Sequence, residues 1–169
     1  LQQARSRRDV LFVASSGHEL GHLGIDVFIE RRPGLVSRAV GWMHFGANIG
    51  AATPPAGAAA ATPDDPQRRH AVAAMGSGNT IQASDDQREA LLSSALSSAG
   101  LTVGRRVPRG TVPGGEAEAV HRGGGSYVSV IGSNGLFHHP DDRGVDTVNV
   151  QAIMNFISAF TSLARTLSG

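Results

Sequence analysis

Short apolar runs separated by helical segments constrain the fold of this chain most strongly. Residues 9–14 (DVLFVA) are β-branched and aromatic without a clean polar alternation, and residues 126–131 (SYVSVI) form a second run of this kind. Such runs are typical of strands that are buried on both faces of a parallel sheet. Helical periodicity follows each run, so the order of elements indicates an α/β fold with a largely parallel or mixed sheet.

Three segments carry helical patterns. Residues 20–29 are apolar at helical spacing, and Pro33-Gly34 ends the predicted helix. Residues 84–87 (SDDQ) have the S-x-x-Q form of a capping box, which predicts a second helix that ends at Gly100. The last helix is predicted from apolar residues at helical spacing, namely Ile153, Ile157, Phe160, Ala164 and Leu167.

The remaining segments complete a single predicted domain. Further strands are expected at residues 39–49, 70–75 and 101–107, and a short helix at residues 114–122. Residues 50–66 form a Pro/Ala/Gly tract without periodicity, which predicts a loop or insertion. The chain opens with Leu1 in a segment resembling the end of a helix, so we expect residues 1–169 to be one partial domain with further residues upstream.

Composition excludes several classes of protein. All 15 basic side chains are Arg, they occur as scattered pairs, and the net charge is +1, so no basic face for nucleic acid is expected. Cysteine is absent, which excludes disulfides and thiolate metal ligands. No apolar run approaches the roughly 18 residues that a membrane span needs.

Residues 15–24 (SSGHELGHLG) contain the H-E-x-x-H letters of a zinc-protease helix. In such a helix His18 and His22 bind zinc one turn apart, and Glu19 is the general base. Gly17 and two serines precede His18, so the first histidine comes before a helix is established. The extended form of the motif also fails, and the glutamates available as a third ligand, Glu30, Glu89, Glu116 and Glu118, stand in no persuasive context.

A second interpretation places this segment at the carboxyl end of a strand over residues 9–14. Open α/β sheets collect ligand-binding side chains at such ends. His44 lies in the carboxyl half of the next predicted strand, and residues 137–142 (FHHPDD) follow the strand at residues 126–131. Imidazoles and carboxylates from several strand ends are ligands that zinc accepts.

Taken in order, residues 9–24, 39–50 (AVGWMHFGANIG) and 126–149 (SYVSVIGSNGLFHHPDDRGVDTVN), followed by a long helix, resemble the C-terminal half of the co-catalytic di-zinc exopeptidases of the bacterial leucyl aminopeptidase type. The resemblance implies a three-layer α/β fold. Its central, mostly parallel or mixed sheet would carry helices on both faces, as in zinc exopeptidases and phosphorylase/hydrolase-like proteins, with the N-terminal part missing.

The resemblance also implies site residues and zinc as the cofactor. Glu19 falls on the family's ligand glutamate, and His138 falls on its late ligand histidine. His44 stands near the position of a ligand aspartate, and His18 occupies the position of the general base, which is a glutamate in the family. The family's first ligand histidine and its metal-bridging aspartate precede the strand with which this chain begins.

We therefore expect a zinc-dependent, aminopeptidase-type hydrolase of peptide or small amide substrates, truncated or degenerate in its metal site. Two alternatives stay open: a catalytically inactive domain of this fold that binds a partner, and, less favoured, an H-E-x-x-H metalloprotease. A secreted or cell-envelope location would follow from the resemblance. His44 is also compatible with a hydrogen-bonded core histidine, and Glu19 with an acid that favours a helix N-terminus.

Overall fold

A computed structural model of the protein describes residues 8–50, 78–134, 137, 138, 140 and 148–169. In these ranges the chain is a mixed α/β protein with five α-helices and a four-stranded mixed sheet. None of the helices described there combines the length and the apolar character of a membrane span. The loop predicted at residues 50–66, beyond its first residue, and the strand predicted at residues 70–75 lie outside the described residues.

The first of the described elements is a 3₁₀ turn, His18–Leu20, which precedes the first helix. The helices are α1 (Leu23–Glu30), α2 (Leu35–Arg38), α3 (Asp86–Ser98), α4 (Ala117–Arg122) and α5 (Val150–Ser168). The strands are β1 (Trp42–Phe45), β2 (Gly78–Ala83), β3 (Arg105–Arg106) and β4 (Tyr127–Ser133). Their order in the sheet is β1-β4-β2-β3. β1 is parallel to β4, β2 is parallel to β3, and β2 and β4 are antiparallel.

Strand β4 contributes side chains to the buried clusters on both faces of the sheet, because successive residues of a strand point to opposite faces. Val128 and Val130 pack in a buried cluster with residues of α3 and α5, including Leu92 and Leu163. Tyr127 belongs to a second cluster, with side chains of α2 and α4. Helices therefore cover β4 from both sides.

Several predicted elements are confirmed. α1 ends before Pro33-Gly34, and α3 ends before Gly100 and buries Leu92 and Leu96 on one side. α4, β4 and the long α5 lie within or close to their predicted bounds. β1 occupies only four residues of the predicted range 39–49, and β3 only two of the range 101–107.

The strand predicted at residues 9–14 is wrong in this structure. The segment has no helix or strand assignment and forms no strand pairing among the described residues. Its apolar side chains are exposed, with relative accessibilities from 37% for Val13 to 79% for Phe12. An apolar run indicates a segment that gains from burial, but it does not specify which strand it pairs with. β1 lies at the edge of the sheet that the described residues form.

Two local predictions also need correction. The N-cap of α3 is Asp85, whose carboxylate accepts the N–H of Arg88, and not Ser84. Ser84 is engaged with the sheet instead, because its hydroxyl oxygen accepts the N–H of Tyr127. The strand β2 was not predicted, because Gly78–Ala83 (GNTIQA) holds one large apolar residue, Ile81, and lacks the apolar density of the other runs.

Candidate functional site

The H-E-x-x-H segment is a turn and not a helix. Gly17 and Gly21 flank the 3₁₀ turn with φ values of 72° and 74°, and His22 follows with φ 63° before α1 begins at Leu23. Left-handed backbone at Gly21 and His22 interrupts any continuous α-helix from His18 to His22. The two imidazoles lie with ring centroids 4.9 Å apart and tilted by 57°. This geometry does not match the zinc-protease helix.

Glu19 and His138 meet across 119 positions of sequence. Oε1 of Glu19 lies 3.1 Å from Nε2 of His138. Both side chains are accessible, with 71% of the Glu19 side chain and 61% of the His138 side chain exposed. His138 has φ 62°, an uncommon conformation for a residue other than glycine. The turn before α1 and His138 thus lie close together, although the strand predicted before this turn, at residues 9–14, is not formed among the described residues.

Glu116 is the centre of a second group of side chains. Its Oε1 accepts a hydrogen bond from Oγ of Ser15 at 3.2 Å and lies 3.2 Å from Nδ1 of His18. Its Oε2 lies 3.4 Å from Nε2 of His44. Burial alone raises the pKa of Glu116, but hydrogen bonds from its own backbone N–H, from His18 and from His44 outweigh burial and lower the pKa to about 2. Glu116 is therefore ionised at neutral pH.

His44 is held from both sides of its ring. It pairs in register with Ser129 of β4, and its Nδ1 lies 2.8 Å from Oγ of that serine. Burial lowers the pKa of His44, and this effect exceeds the opposite effect of Glu116. A neutral imidazole that faces a carboxylate through Nε2 donates from Nε2 and accepts at Nδ1. Ser129 is then the donor to His44.

Other ionisable groups nearby join α1 to α4. Arg122 lies 3.1 Å from a carboxylate oxygen of Asp26 and 3.7 Å from one of Glu118. Glu118 lies 3.8 Å from Nδ1 of His22, which is beyond hydrogen-bond distance. His22 therefore lies beside α4 without a direct hydrogen bond to Glu118, whereas Arg122 links the two helices.

The predicted metal ligands do not form one group. Within the part of the chain that the structure describes, no three His, Asp or Glu side chains are arranged to hold a metal ion together. Glu19 and His138 form one pair, whereas His44 belongs to the group around Glu116. His139 and Asp142 of the same predicted loop lie outside the described residues.

A cavity of about 310 Å³ lies near the amino end of β4, at Tyr127. Ser84, Asp85, His121 and Tyr127 are among its lining residues. None of the residues around it belongs to the pair of Glu19 and His138 or to the group around Glu116.

The sequence analysis did not predict the contacts of Glu116 with Ser15, His18 and His44, or the contact of Ser129 with His44. Glu116 was considered only as a third zinc ligand of the H-E-x-x-H motif. The sequence does carry one indication, the Gly114-Gly115 pair directly before it, which is suited to a close approach of backbone and side chain. No protein-family model and no curated protein sequence matches the chain.

Proposed function

We propose that the protein is a zinc-dependent, exopeptidase-like hydrolase of peptide or amide bonds. The observation that carries this proposal is the contact between Glu19 and His138, 3.1 Å apart. These are the two residues that match the family's ligand positions best, and they come from opposite ends of the sequence. Convergence of such distant residues is expected of a binding site and is not required by the packing of their exposed side chains.

The fold supports the proposal at a coarser level. A mixed sheet with helices packed against both faces of β4 is compatible with the three-layer exopeptidase architecture. β1 and β4 are parallel, so their carboxyl ends lie at the same edge of the sheet. His138 follows the carboxyl end of β4, where ligand-binding residues of α/β proteins collect.

Zinc suits the chemical nature of the pair, because a carboxylate oxygen and an imidazole nitrogen are common zinc ligands. Glu19 and His138 would hold the ion. The remaining ligands would be water or groups outside the described residues, since His44 already engages both ring nitrogens. A zinc ion bound there would polarise a substrate carbonyl and lower the pKa of a bound water. Near it, His18 would accept a proton, and the exposure of the pair would admit an extended substrate.

Zinc titration by calorimetry of the purified chain tests the ligands. We expect binding by the wild type and at least a roughly tenfold weaker affinity for Glu19→Gln and for His138→Ala, since each removes one ligand. Glu30→Gln is the matched control, because Glu30 is an exposed carboxylate at the end of α1. Zinc affinity that is the same in all four proteins would refute the proposed ligands.

An assay with leucine p-nitroanilide and zinc tests the hydrolysis itself. Release of p-nitroaniline by the wild type, lost in Glu19→Gln but retained in Glu30→Gln, is the expected result. Zinc binding without hydrolysis would favour the second candidate, a catalytically inactive domain of this fold. That candidate is favoured by one observation, that the described residues bring together two of the predicted ligands and not three.

A further inference from the structure

Glu116 connects the turn before α1 with strand β1 and, through His44, with β4. It is the residue before α4, and both of its carboxylate oxygens face side chains from other segments. His18 and Ser15 approach one oxygen, and His44 approaches the other. The resemblance and the sequence patterns give this glutamate no role.

We propose that Glu116 is a positioning residue that holds the imidazole of His18 as its Nδ1–H tautomer, so that Nε2 keeps a free lone pair as a proton acceptor. The role rests on the proposed hydrolase function, in which His18 replaces the family's carboxylate base. It concerns which ring nitrogen carries the proton, and it is set by the hydrogen-bond geometry.

The first step of the argument is the contact between His18 and Glu116. An ionised carboxylate only accepts hydrogen bonds, so Nδ1 of His18, at 3.2 Å, must be the donor. A neutral imidazole has one N–H, which leaves Nε2 without a proton. Within the described part of the chain, Nε2 of His18 has no hydrogen-bond partner, and 52% of the side chain is exposed. Solvent therefore reaches more than half of this side chain.

The second step is the anchoring of Glu116 itself. Its other oxygen receives the Nε2–H of His44, whose Nδ1 is fixed by Ser129 from the buried face of β4. Ser129 is 3% exposed, so this support comes from the buried centre of the sheet. A carboxylate that is held through both oxygens has little freedom to turn away from His18. This is the arrangement by which a carboxylate orients a histidine base in other enzymes.

The third step is a comparison with the neighbouring histidine. His22 has a carboxylate at 3.8 Å, Glu118, which lies two residues beyond Glu116. At that distance a direct hydrogen bond is absent, so Glu118 is not expected to fix a tautomer of His22 or of His18. Glu118→Ala is therefore a matched control for Glu116→Ala.

Long-range ¹H–¹⁵N NMR of the side-chain imidazoles tests the proposal on the zinc-free chain at about pH 9, well above the ordinary pKa of histidine. The signals of His18 are identified by their loss in His18→Gln. In the wild type we expect the Nδ1–H form of His18 to be at least about tenfold more populated than the Nε2–H form. Glu116→Ala should invert this ratio, Glu116→Gln should give an intermediate value, and Glu118→Ala should leave it unchanged.

An Nε2–H form of His18 in the wild type would overturn the proposal, whether or not the Glu116 variants fold. So would an unchanged ratio in a folded Glu116→Ala protein. The outcome is separable from the proposed function because no zinc and no substrate are present. The expected tautomer in a protein that hydrolyses no peptide would support the positioning role and refute the hydrolase. Hydrolysis by a protein in which His18 carries its proton on Nε2 would support the hydrolase and refute the positioning role.

Discussion

At the scale of single residues, Gly115 sets the distance between α4 and β1. It has φ +66°, and an added Cβ would lie 2.8 Å from Cε1 and 3.0 Å from Nε2 of His44. A side chain here meets two costs, the left-handed backbone and a clash with a part-buried ring. The glycine thus permits His44 to approach Glu116, the next residue along the chain.

The first prediction separates the backbone cost from the cost of the clash by comparing Gly115 with Gly110. Gly110 has φ +80° and no atom within 4 Å of its ideal Cβ, so Gly110→Ala meets the backbone cost alone, roughly 1–2 kcal/mol of unfolding free energy. Gly115→Ala should cost about 1–3 kcal/mol more because of the clash. Urea denaturation of both variants measures the difference. Equal losses would mean that His44 moves aside freely, which would contradict a rigid site.

The second prediction concerns Asp85 and pH. Burial alone raises the pKa of Asp85, but the N–H of Arg88, the hydroxyl of Ser84 and the guanidinium of Arg88 outweigh it, so the pKa lies below 3.8. The folded state thus favours the ionised cap. Its contribution to stability is complete above the unfolded pKa and is lost as the pH falls from 3.8 through the lower folded value.

Two variants test this cap. At pH 7, Asp85→Ala should lower the free energy of unfolding by about 1 kcal/mol, the usual cost of losing an N-cap. Asp85→Asn keeps an acceptor but removes the charge, so the wild type should be more stable than this variant at pH 7 and should lose that advantage as the pH falls through the lowered pKa of Asp85. Urea denaturation across this pH range gives both quantities. A difference between wild type and Asp85→Asn that is independent of pH would exclude the charge effect.

At the scale of elements, α5 shows what periodicity determines and what it leaves open. The apolar spacing predicts a helix, and Phe160 and Ala164 are buried as expected. Ile157, also predicted on the buried face, is 52% exposed, and its neighbour Phe156 is 4% exposed. Adjacent residues are about 100° apart around a helix, so a broad apolar stripe fixes the buried face only to within one residue.

The third prediction therefore compares these neighbours. Phe156→Ala should lower the free energy of unfolding by about 3–5 kcal/mol, because it empties a site in the cluster shared with β4. Ile157→Ala should change it by no more than about 0.5 kcal/mol, as for most surface substitutions. Thermal denaturation followed by circular dichroism gives the comparison, and Phe156→Leu replaces the first variant if it does not fold. A larger loss of unfolding free energy for Ile157→Ala than for Phe156→Ala would show that α5 buries the face that the apolar periodicity predicts.

Strands were harder to predict than helices for a physical reason. A helix is specified by residues a few positions apart, whereas a strand depends on partners elsewhere in the sequence. β4 was predictable because it is central and apolar. β2 pairs with β4 over six positions although its sequence is largely polar, and so pairing, not composition, makes it a strand.

At the scale of the whole molecule, the site was predictable only in part. The meeting of Glu19 and His138 was expected because a strand was predicted at residues 9–14, and the two residues meet although that strand is not formed among the described residues. The position of Glu116 depends on how α4 packs against β4 and α1, and no local pattern encodes that packing. His44 was correctly placed in a strand, but its contact with Glu116 depends on the same packing.

Whether residues 9–14 form a strand also depends on partners elsewhere in the sequence. The fourth prediction concerns this segment. Phe12 is 79% exposed in a segment without strand pairing among the described residues. Phe12→Ser should therefore change the free energy of unfolding by less than about 0.5 kcal/mol. The backbone amides of residues 10–13 should exchange with solvent rapidly, whereas those of Val128 and Val130 in β4 should be among the slowest.

Hydrogen exchange and urea denaturation together decide whether this segment is a strand in solution. Removing a phenylalanine side chain that is fully buried lowers the free energy of unfolding by about 3–5 kcal/mol, which is well above the effect expected for Phe12→Ser. A loss of that size, together with slow exchange at residues 10–13, would show that the apolar run is buried as its sequence predicts. It would then supply a further strand leading into the Glu19 turn, and the exposed conformation would be refuted.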